Sequence, residues 1–159
     1  HVAYAYATQV VILDSDGRVE KVVAAHDVGR AINPNGVEGQ IEGGVVMGLG
    51  FALTEEFPLS KGVPTASLST LGLIRSTQVP EIECIIIEKN PAELAYGAKG
   101  MGEIVCVATP PAVACAYFQR DGKLRNSLPR QDTPYSADSA ALKEFRAQKA
   151  SFKQAKKVL

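Results

Sequence analysis

Apolar and polar residues alternate along two runs near the start of the chain. Residues 2–13 and 18–26 repeat Val, Ala and Tyr at about every second position, and the sequence DSDG lies between them. Alternation with a period of two predicts a β-strand, and Asp, Ser and Gly favour tight turns. The pattern therefore predicts an antiparallel hairpin over residues 2–26.

A helical period replaces the alternation after residue 36. In VEGQIEGGVVMGLGFALTEEF, apolar or small residues recur at positions 37, 41, 45, 48 and 52, which predicts a helix of about 20 residues. The same run contains glycines at positions 39, 43, 44, 48 and 50, and each costs about 1 kcal/mol relative to alanine inside a helix. We expect close approach of another backbone or of a ligand to offset that cost.

The second half of the chain predicts a strand and a buried helix around a glycine-rich loop. Residues 57–80 contain three prolines without a sustained period, so an irregular segment is expected there, and EIECIIIEK after it predicts a strand. Thr109 before Pro110 has the pattern of an N-cap with proline at the first helical position, which would open PPAVACAYFQR as a buried helix. Together these elements predict the α+β class, with an antiparallel hairpin and mixed strands packed with glycine-rich and buried helices.

The C-terminal residues differ from the body of the chain in charge. Residues 140–159 hold six basic side chains and one acidic side chain, whereas the complete chain has 17 of each sign. Large apolar residues of this tail, at positions 142, 145, 152 and 159, fall on one helical stripe. We therefore divide the chain into a body, residues 1–135, and a basic amphipathic helix or tail, residues 136–159. The tail carries no nucleic-acid-binding motif, so nucleic acid is not an expected partner.

Composition limits the class of protein. With 159 residues, of which 46% are hydrophobic, the chain is long enough for one domain with a core. No apolar run approaches the roughly 18 to 20 residues of a transmembrane helix, and the N-terminus has no features of a signal peptide. Because the chain begins at His1 and enters a strand-like pattern at once, we expect a piece of a longer polypeptide or a processed subunit.

The cysteines predict free thiols and no metal site. Cys84, Cys106 and Cys115 are odd in number and lie within apolar stretches, which is typical of buried, reduced thiols in the cytoplasm. The sequence contains no CxxC pair. Ligation of zinc or of an iron–sulfur cluster by this chain is therefore not expected, and no metal ligand is assigned to it.

The loop GAKGMGEI, residues 97–104, holds the candidate catalytic residue. Three of its residues are glycines, and Glu103 is followed directly by an apolar run. We expect this carboxylate at the mouth of a buried segment, where it is either paired or held so that its proton affinity matters. The loop lacks the GK[ST] ending of a P-loop, and taken alone its glycines favour a structural role. His26 and Asp27, adjacent at a predicted strand end, are interpreted as a structural pair.

Three motifs in order are more specific than any one of them. HDVGRAINP, then GQIEGGVVMGLG, then AYGAKGMGEI with TPPAVACAY resemble the C-terminal part of the molybdenum-binding subunit of the xanthine dehydrogenase and aldehyde oxidase family, the molybdenum hydroxylases. The resemblance covers residues 1 to about 135. It implies one portion of a large α+β domain that binds molybdenum-molybdopterin, with the cofactor shared with other parts of that domain.

The resemblance implies that Glu103 is a general base. Such enzymes hydroxylate a carbon next to nitrogen or to a carbonyl with oxygen from water, and a carboxylate beside the molybdenum takes up the proton. It also implies that Lys99, Gly100, Met101 and Gly102 line the cofactor. The glycines would let the backbone approach the ligand closely, because they have no side chain. A solvated or structural role is an equal alternative for Lys99.

The glycine-rich helix is the second cofactor contact that the resemblance implies. The positions concerned are Gly43, Gly44, Met47 and Gly48. Many members of the family carry glutamine in place of Met47, and methionine cannot donate the hydrogen bonds of that amide. Ile104 replaces the proline that often follows the glutamate in eukaryotic-type enzymes, a pattern closer to bacterial members.

The implied reaction is the hydroxylation of a small molecule, either an N-heterocycle such as a purine or an aldehyde. Electrons would leave through iron–sulfur clusters, and often FAD, on partner subunits. Alone, the chain is expected to be inactive and to bind no molybdenum, because it supplies only part of the cofactor cradle. The alternative is a non-catalytic assembly or interaction module that retains the fold.

Overall fold

The computed structural model describes residues 4–136, and the tail helix predicted for residues 136–159 lies outside that range except for its first residue. Within it, a three-stranded sheet and three helices enclose one hydrophobic core. The observed mixture of strands and helices is the α+β class that the sequence predicts.

The predicted hairpin is confirmed. β1, Tyr6–Leu13, pairs antiparallel with β2, Val19–Asp27. The turn between them is closed by the side chain of Asp14, which accepts hydrogen bonds from the N–H groups of Asp16 and Arg18 at 2.9 and 2.8 Å. An aspartate that binds the backbone in this way favours a turn over continued strand.

The long helix α1 spans Pro34–Leu53, and it begins three residues before the predicted start. Asn33 is its N-cap, since its side chain accepts a hydrogen bond from the Gly36 N–H at 3.1 Å, and proline is well tolerated in the first turn. The buried stripe of α1 includes Ile41, Val45, Leu49 and Leu53. No helix among residues 4–136 is both long enough and apolar enough to cross a lipid bilayer.

The segment after α1 is irregular, as predicted for residues 57–80. It contains two-residue strands, β3 at Leu59–Ser60 and β4 at Val63–Pro64, and short 3-10 helices at Leu68–Thr70 and Ser76–Gln78. The next strand, β5 at Glu81–Ile87, lies parallel to β2, so the sheet order is β1-β2-β5. A parallel pair needs a long crossover, which α1 and the irregular segment provide.

Two helices follow the glycine-rich loop: α2, Ile104–Val107, and α3, Thr109–Asp121. The prediction that Thr109 is an N-cap is wrong, because Ala108 occupies the cap position and Thr109 is the first helical residue. The Thr109 hydroxyl instead donates a hydrogen bond to Gln9 Oε1 at 2.6 Å. A contact with a residue distant in sequence has replaced the local cap.

α3 is amphipathic, so the prediction of a buried helix is only partly right. Val113 and Tyr117 belong to the core, whereas Phe118 is 48% exposed. The helix ends at Gly122, whose φ of 69° is the left-handed conformation that favours glycine at a C-cap.

The prediction of buried cysteines is wrong. The three thiols are free, but Cys84 and Cys106 are only half-buried, and Cys115 is exposed. The apolar stretches around them form elements with one solvent-facing side, and Cys115 lies on that side of α3.

The close approach expected at the glycines of α1 is found at three of them, although at Gly50 it comes only from the flexible side chain of Glu55. A Cβ atom on Gly44 would lie 2.1 Å from the Val105 side chain, and one on Gly48 would lie 2.5 Å from Thr109 Cβ. Both distances are far below van der Waals contact. The group that approaches α1 at Gly44 and Gly48 is therefore the chain's own segment 104–109.

The two faces of the sheet differ in what covers them. One face packs against the helices, and its side chains join the core. The opposite face carries Tyr6, Val10, Ile12 and Ile85, which are 41% to 64% exposed. The same face carries Lys21, which forms ion pairs with Glu81 and Glu83. Within residues 4–136, no further layer covers this face.

Alanine substitutions at two glycines of α1 test this packing. Gly48→Ala should lower the free energy of unfolding by about 1–3 kcal/mol, because the new Cβ has no room beside Thr109. Gly43→Ala is the matched control. The space around Gly43 is open, so alanine should raise stability by up to about 1 kcal/mol through its helix propensity. Urea denaturation measures both, and equal effects of the two substitutions would contradict the packing.

Candidate functional site

The loop between β5 and α2 is attached to the end of β2. Ala98 forms an isolated antiparallel bridge with Gly29, and the Lys99 N–H donates to the Val28 carbonyl at 3.0 Å. Gly29 has a φ of +67°, and a Cβ atom there would lie 2.3 Å from the Gly97 carbonyl oxygen. Glycine at position 29 is therefore required both by backbone conformation and by the close approach of the loop.

A buried ion pair holds the same loop through its side chains. Lys99 Nζ lies 2.8 Å from Asp27 Oδ2, and the two side chains are 5% and 8% exposed. The Gly29 N–H and the Asn90 amide also donate to the Asp27 carboxylate, at 3.0 and 3.3 Å. The hydrogen bond from Lys99 lowers the pKa of Asp27 to about 2, with help from Gly29 and Asn90 and against the effect of burial.

This ion pair bears on the roles predicted for Lys99 and Asp27. The Lys99 ammonium contacts Asp27 and also lies 5.3 Å from the centre of the Tyr6 ring. Of the two roles considered for Lys99, the structure shows the structural one. Contact of Lys99 with a cofactor stays a prediction. Asp27 is structural in this arrangement, as interpreted from the sequence. His26 is also buried, and burial lowers its pKa.

Glu103 lies at the point where the loop enters α2. Its carbonyl accepts hydrogen bonds from the Cys106 N–H and Sγ, both at 3.2 Å. The carboxylate makes no capping bond, and within residues 4–136 it has no hydrogen-bond or ion-pair partner. The side chain is exposed, while Val105 and Thr109 after it are buried. The predicted position at the mouth of a buried segment is confirmed, and the alternative of a paired carboxylate is not found within residues 4–136.

Nothing among residues 4–136 requires glycine at the two positions beside Glu103, Gly100 and Gly102. Gly100, Gly102 and Glu103 line a cavity of about 480 Å³ together with Tyr4 and Ala5. A Cβ atom at position 100 or 102 would meet no heavy atom within 4 Å, and neither residue has a positive φ. In contrast to Gly97, whose φ is +91°, these two glycines leave open space. Such a gap suits a ligand that approaches the backbone closely.

Two further cavities are lined by residues predicted to contact the cofactor. Lys99, Met101 and Gly102 line a neighbouring cavity of about 400 Å³, which Arg30 and Gln40 also line. A third cavity, of about 390 Å³, is lined by Gly43 and Met47 together with Phe51 and Leu73.

The glycines of α1 differ in their surroundings. Gly44 and Gly48 are covered by Val105 and Thr109, so their contacts within this chain are already made. Gly43 is open and Met47 is 51% exposed. The structure therefore leaves Gly43 and Met47 accessible to a ligand on α1, and their contact with a cofactor remains a prediction.

Gln9, the polar centre of the core near the loop, was not predicted from the sequence. Gln9 Nε2 donates to the Val105 carbonyl at 2.8 Å and lies 3.2 Å from His26 Nε2, and Gln9 Oε1 accepts from the Thr109 hydroxyl. The partners fix the orientation of the amide, because the carbonyl of Val105 can only accept. The alternation of β1 could have revealed this residue, since position 9 shares a face with the buried Val11.

Among residues 4–136, one group of potential metal ligands lies elsewhere on the surface. Ligand atoms of Glu38, Glu42 and Cys84 lie within 4.8 Å of one another. Burial, with the charges of Glu42 and Glu38, raises the pKa of the Cys84 thiol to about 11. The raised pKa disfavours the thiolate, which is the form of cysteine that binds a metal.

Comparison with known proteins gives consistent matches. Residues 1–80 match the family model for the molybdopterin cofactor-binding domain. The chain is 32% identical over 153 residues to a Bacillus subtilis protein named as a probable xanthine dehydrogenase subunit, covering 91% of this chain and 20% of that protein. It is 40% identical over 98 residues to the nicotine 6-hydroxylase large subunit of Paenarthrobacter nicotinovorans, covering 60% of this chain and 12% of that protein.

A solved structure shares the fold. Quinoline 2-oxidoreductase from Pseudomonas putida 86 matches with a TM-score of 0.63 and 31% identity, over 72% of this chain and 16% of that chain. The α+β arrangement described above is therefore also found in that enzyme. The chain spans a fifth or less of the length of each of these three proteins.

The pH dependence of stability tests the ion pair beneath the loop. The pKa of Asp27 lies below its ordinary value of 3.8, so its carboxylate stabilises the folded state above about pH 4, and this contribution is lost as the pH falls toward 2. Asp27→Asn should therefore lower the free energy of unfolding at neutral pH, and the difference from wild type should shrink between about pH 4 and 2.

The measurement is urea denaturation at a series of pH values. Asp16→Asn, at an exposed aspartate of the β1–β2 turn, is the control and should change stability little at any pH. A difference between Asp27→Asn and wild type that stays constant from pH 7 to about 2 would contradict the role of the carboxylate charge.

Proposed function

We propose a function from one premise: this chain belongs to the family of molybdopterin cofactor-binding domains. In the proposal, residues 1–135 form the C-terminal portion of the molybdenum-binding subunit of a molybdenum hydroxylase, and residues 136–159 form a basic tail. The observation that carries the proposal is the loop 97–104. It presents a carboxylate with no partner among residues 4–136, beside two positions at which nothing in those residues requires glycine.

The residues of the loop fit the family's cofactor. Gly100 and Gly102 leave room for close approach to the backbone, and Met101 and Lys99 line the adjoining cavity. Gly43 and Met47 are proposed as further contacts from α1. When bound, molybdenum-molybdopterin supplies a Lewis-acidic, redox-active metal.

Glu103 is the proposed general base. Its carboxylate is exposed to the cavity and has no partner within residues 4–136 that would have to release it before it accepts a proton. Its backbone is tied down on both sides of the loop, by Lys99 and Asp27 before it and by the buried Val105 after it. A base held in a fixed position beside the reacting water contributes typically about 10² to 10⁴ in rate.

The proposed substrate is an N-heterocycle. The names of the three proteins compared above specify xanthine, nicotine and quinoline, and each of these contains nitrogen in an aromatic ring. A carbon next to such a nitrogen is the position that the family resemblance implies to be hydroxylated. Discrimination against aldehydes would be set mainly by parts of the subunit outside this chain.

The proposed partners are other parts of the same enzyme. Two of the compared proteins are named as subunits, which supports an assembly in which iron–sulfur clusters and FAD lie on partner subunits. The exposed apolar side chains of the sheet, Tyr6, Val10, Ile12 and Ile85, are the proposed contact with the remainder of the molybdenum-binding subunit. A cytoplasmic location, and lack of activity in the isolated chain, belong to the same proposal.

Removal of the base tests the catalytic role. In the assembled enzyme, Glu103→Gln should lower kcat by about 10² to 10⁴, because glutamine keeps the shape of the side chain but cannot accept the proton. Molybdenum content should be unchanged, since the carboxylate has no structural partner among the described residues. Steady-state kinetics and elemental analysis measure both quantities.

The matched control for the base is Glu20→Gln, at an exposed glutamate of β2, which should leave kcat unchanged. Turnover of the Glu103→Gln enzyme within about fivefold of wild type at equal molybdenum content would contradict the assignment. That result would favour the alternative in which the chain is a non-catalytic module.

Alanine at the open glycines tests the cofactor contact separately from catalysis. Gly100→Ala and Gly102→Ala should leave the melting temperature unchanged, because each new Cβ meets open space within the chain. Each should reduce molybdenum and pterin content severalfold, because the methyl group would occupy space proposed for the cofactor. Gly39→Ala, at another glycine in open space, is the control. Full loading of both loop variants would refute the contact.

A further inference from the structure

We propose that His26 makes the attachment of residues 104–109 to the sheet dependent on pH, because only its neutral imidazole ring accepts the hydrogen bond that completes this attachment. His26 lies near the end of β2 and is 1% exposed. It acts through Gln9 of β1, whose amide bonds Val105 and Thr109. Neither His26 nor Gln9 lines any of the three cavities that contain predicted cofactor contacts.

The orientation of the Gln9 amide is fixed by its two partners in the segment 104–109. Nε2 donates to the Val105 carbonyl at 2.8 Å, and Oε1 accepts from the Thr109 hydroxyl at 2.6 Å. Rotation of the amide by half a turn would place Oε1 against the Val105 oxygen, and two acceptors cannot bond each other. The second N–H of Nε2 is therefore the group that faces His26 Nε2, at 3.2 Å.

This amide selects one form of the His26 ring. Because Nε2 faces an N–H, it must accept, and the proton of the neutral ring is then carried by Nδ1. Nδ1 has no hydrogen-bond partner among residues 4–136. The lone pair of Nε2 is also the place where a neutral imidazole takes up its second proton. Protonation of His26 therefore occurs at the atom to which Gln9 donates.

A protonated His26 is incompatible with the bonds that Gln9 makes. Its Nε2 would carry an N–H that points at the N–H of Gln9, donor against donor. To relieve this contact the amide must turn away, and the Val105 carbonyl then loses its donor. Burial acts in the same direction, since it disfavours the charged ring and lowers the pKa of His26 below its ordinary value of 6.5.

The elements around His26 do not compensate a positive charge on its ring. The core-facing positions of β1, residues 7, 9, 11 and 13, hold no titratable side chain. The titratable groups at or beside this side of the sheet are Cys84 on β5, Glu38 and Glu42 on α1, Cys106 on α2 and Tyr117 on α3, with the Asp27–Lys99 pair next to His26 in β2 and the loop. Burial is the cause that shifts the pKa of His26, so among residues 4–136 no charge offsets it.

Two substitutions at His26 separate the hydrogen bond from the titration. In His26→Gln, the new side chain offers an oxygen that can accept from Gln9, and it does not titrate. In His26→Leu, the side chain neither accepts nor titrates, so the second N–H of Gln9 is left unpaired at every pH. The matched control is His1→Gln, which removes the other histidine of the sequence.

Urea denaturation between about pH 8 and 5 measures the linkage. The unfolded chain binds a proton at His26 more readily than the folded chain. Relative to His26→Gln, the unfolding constant of wild type should therefore rise by up to about tenfold for each pH unit below 6.5, until the pH reaches the lowered pKa. His1→Gln should keep this rise. His26→Leu should lack it and should unfold at a lower urea concentration than His26→Gln at every pH.

Hydrogen–deuterium exchange locates the effect in the chain. Protection factors corrected for the intrinsic pH dependence of exchange should fall for residues 104–109 of wild type between about pH 7 and 5. They should stay constant there in His26→Gln, and in residues 114–121 of α3 they should stay constant in both proteins. If His26→Gln does not fold, the comparison of these two segments in wild type decides the outcome.

Two results would overturn the proposal. One is an unfolding constant that follows the same pH dependence in wild type and in His26→Gln. The other is a protection of residues 104–109 that is constant with pH, or that falls only together with that of residues 114–121. Since neither readout uses catalytic activity, failure of Glu103 as a base would leave this inference standing, and failure of this inference would leave the proposed function standing.

Discussion

The packing of residues 104–109 into the glycine positions of α1 is the constraint on which the site depends. Val105 fills the space above Gly44 and Thr109 fills the space above Gly48, so any larger residue at either glycine would push the segment outward. From the other side, Gln9 bonds both Val105 and Thr109. Held between a helix and a strand, the segment has one position, and Glu103 immediately before it is fixed in consequence.

The N-terminal end of the loop is held by an ion pair and a backbone bridge, and not by packing against α1. The ion pair of Lys99 with Asp27 and the bridge between Ala98 and Gly29 attach it to β2. Between these two attachments lie residues 100–102, where the backbone faces open space. The fold thus combines rigid ends with an uncovered centre, an arrangement suited to a backbone that contacts a cofactor and a carboxylate that takes up a proton beside it.

Sequence periodicity predicted the hairpin, α1 and β5, because each is defined by contacts between residues close in sequence or by one buried face. It failed where distant residues compete with local preferences. Thr109 has the sequence pattern of an N-cap, but its hydroxyl bonds Gln9. The six glycines of α1 look alike in sequence, yet Gly48 is packed and Gly43 is open. Which glycine serves packing and which leaves room for a ligand depends on what the rest of the chain places beside it.

The central claim is that this loop forms part of a molybdopterin site. The most direct measurement is the molybdenum content of the native complex that contains this chain, determined by inductively coupled plasma mass spectrometry against protein quantified by amino-acid analysis. The account predicts about one molybdenum atom per copy of the chain, accompanied by pterin, since one loop lines one cofactor. A fully assembled native complex that contains neither molybdenum nor pterin would contradict it.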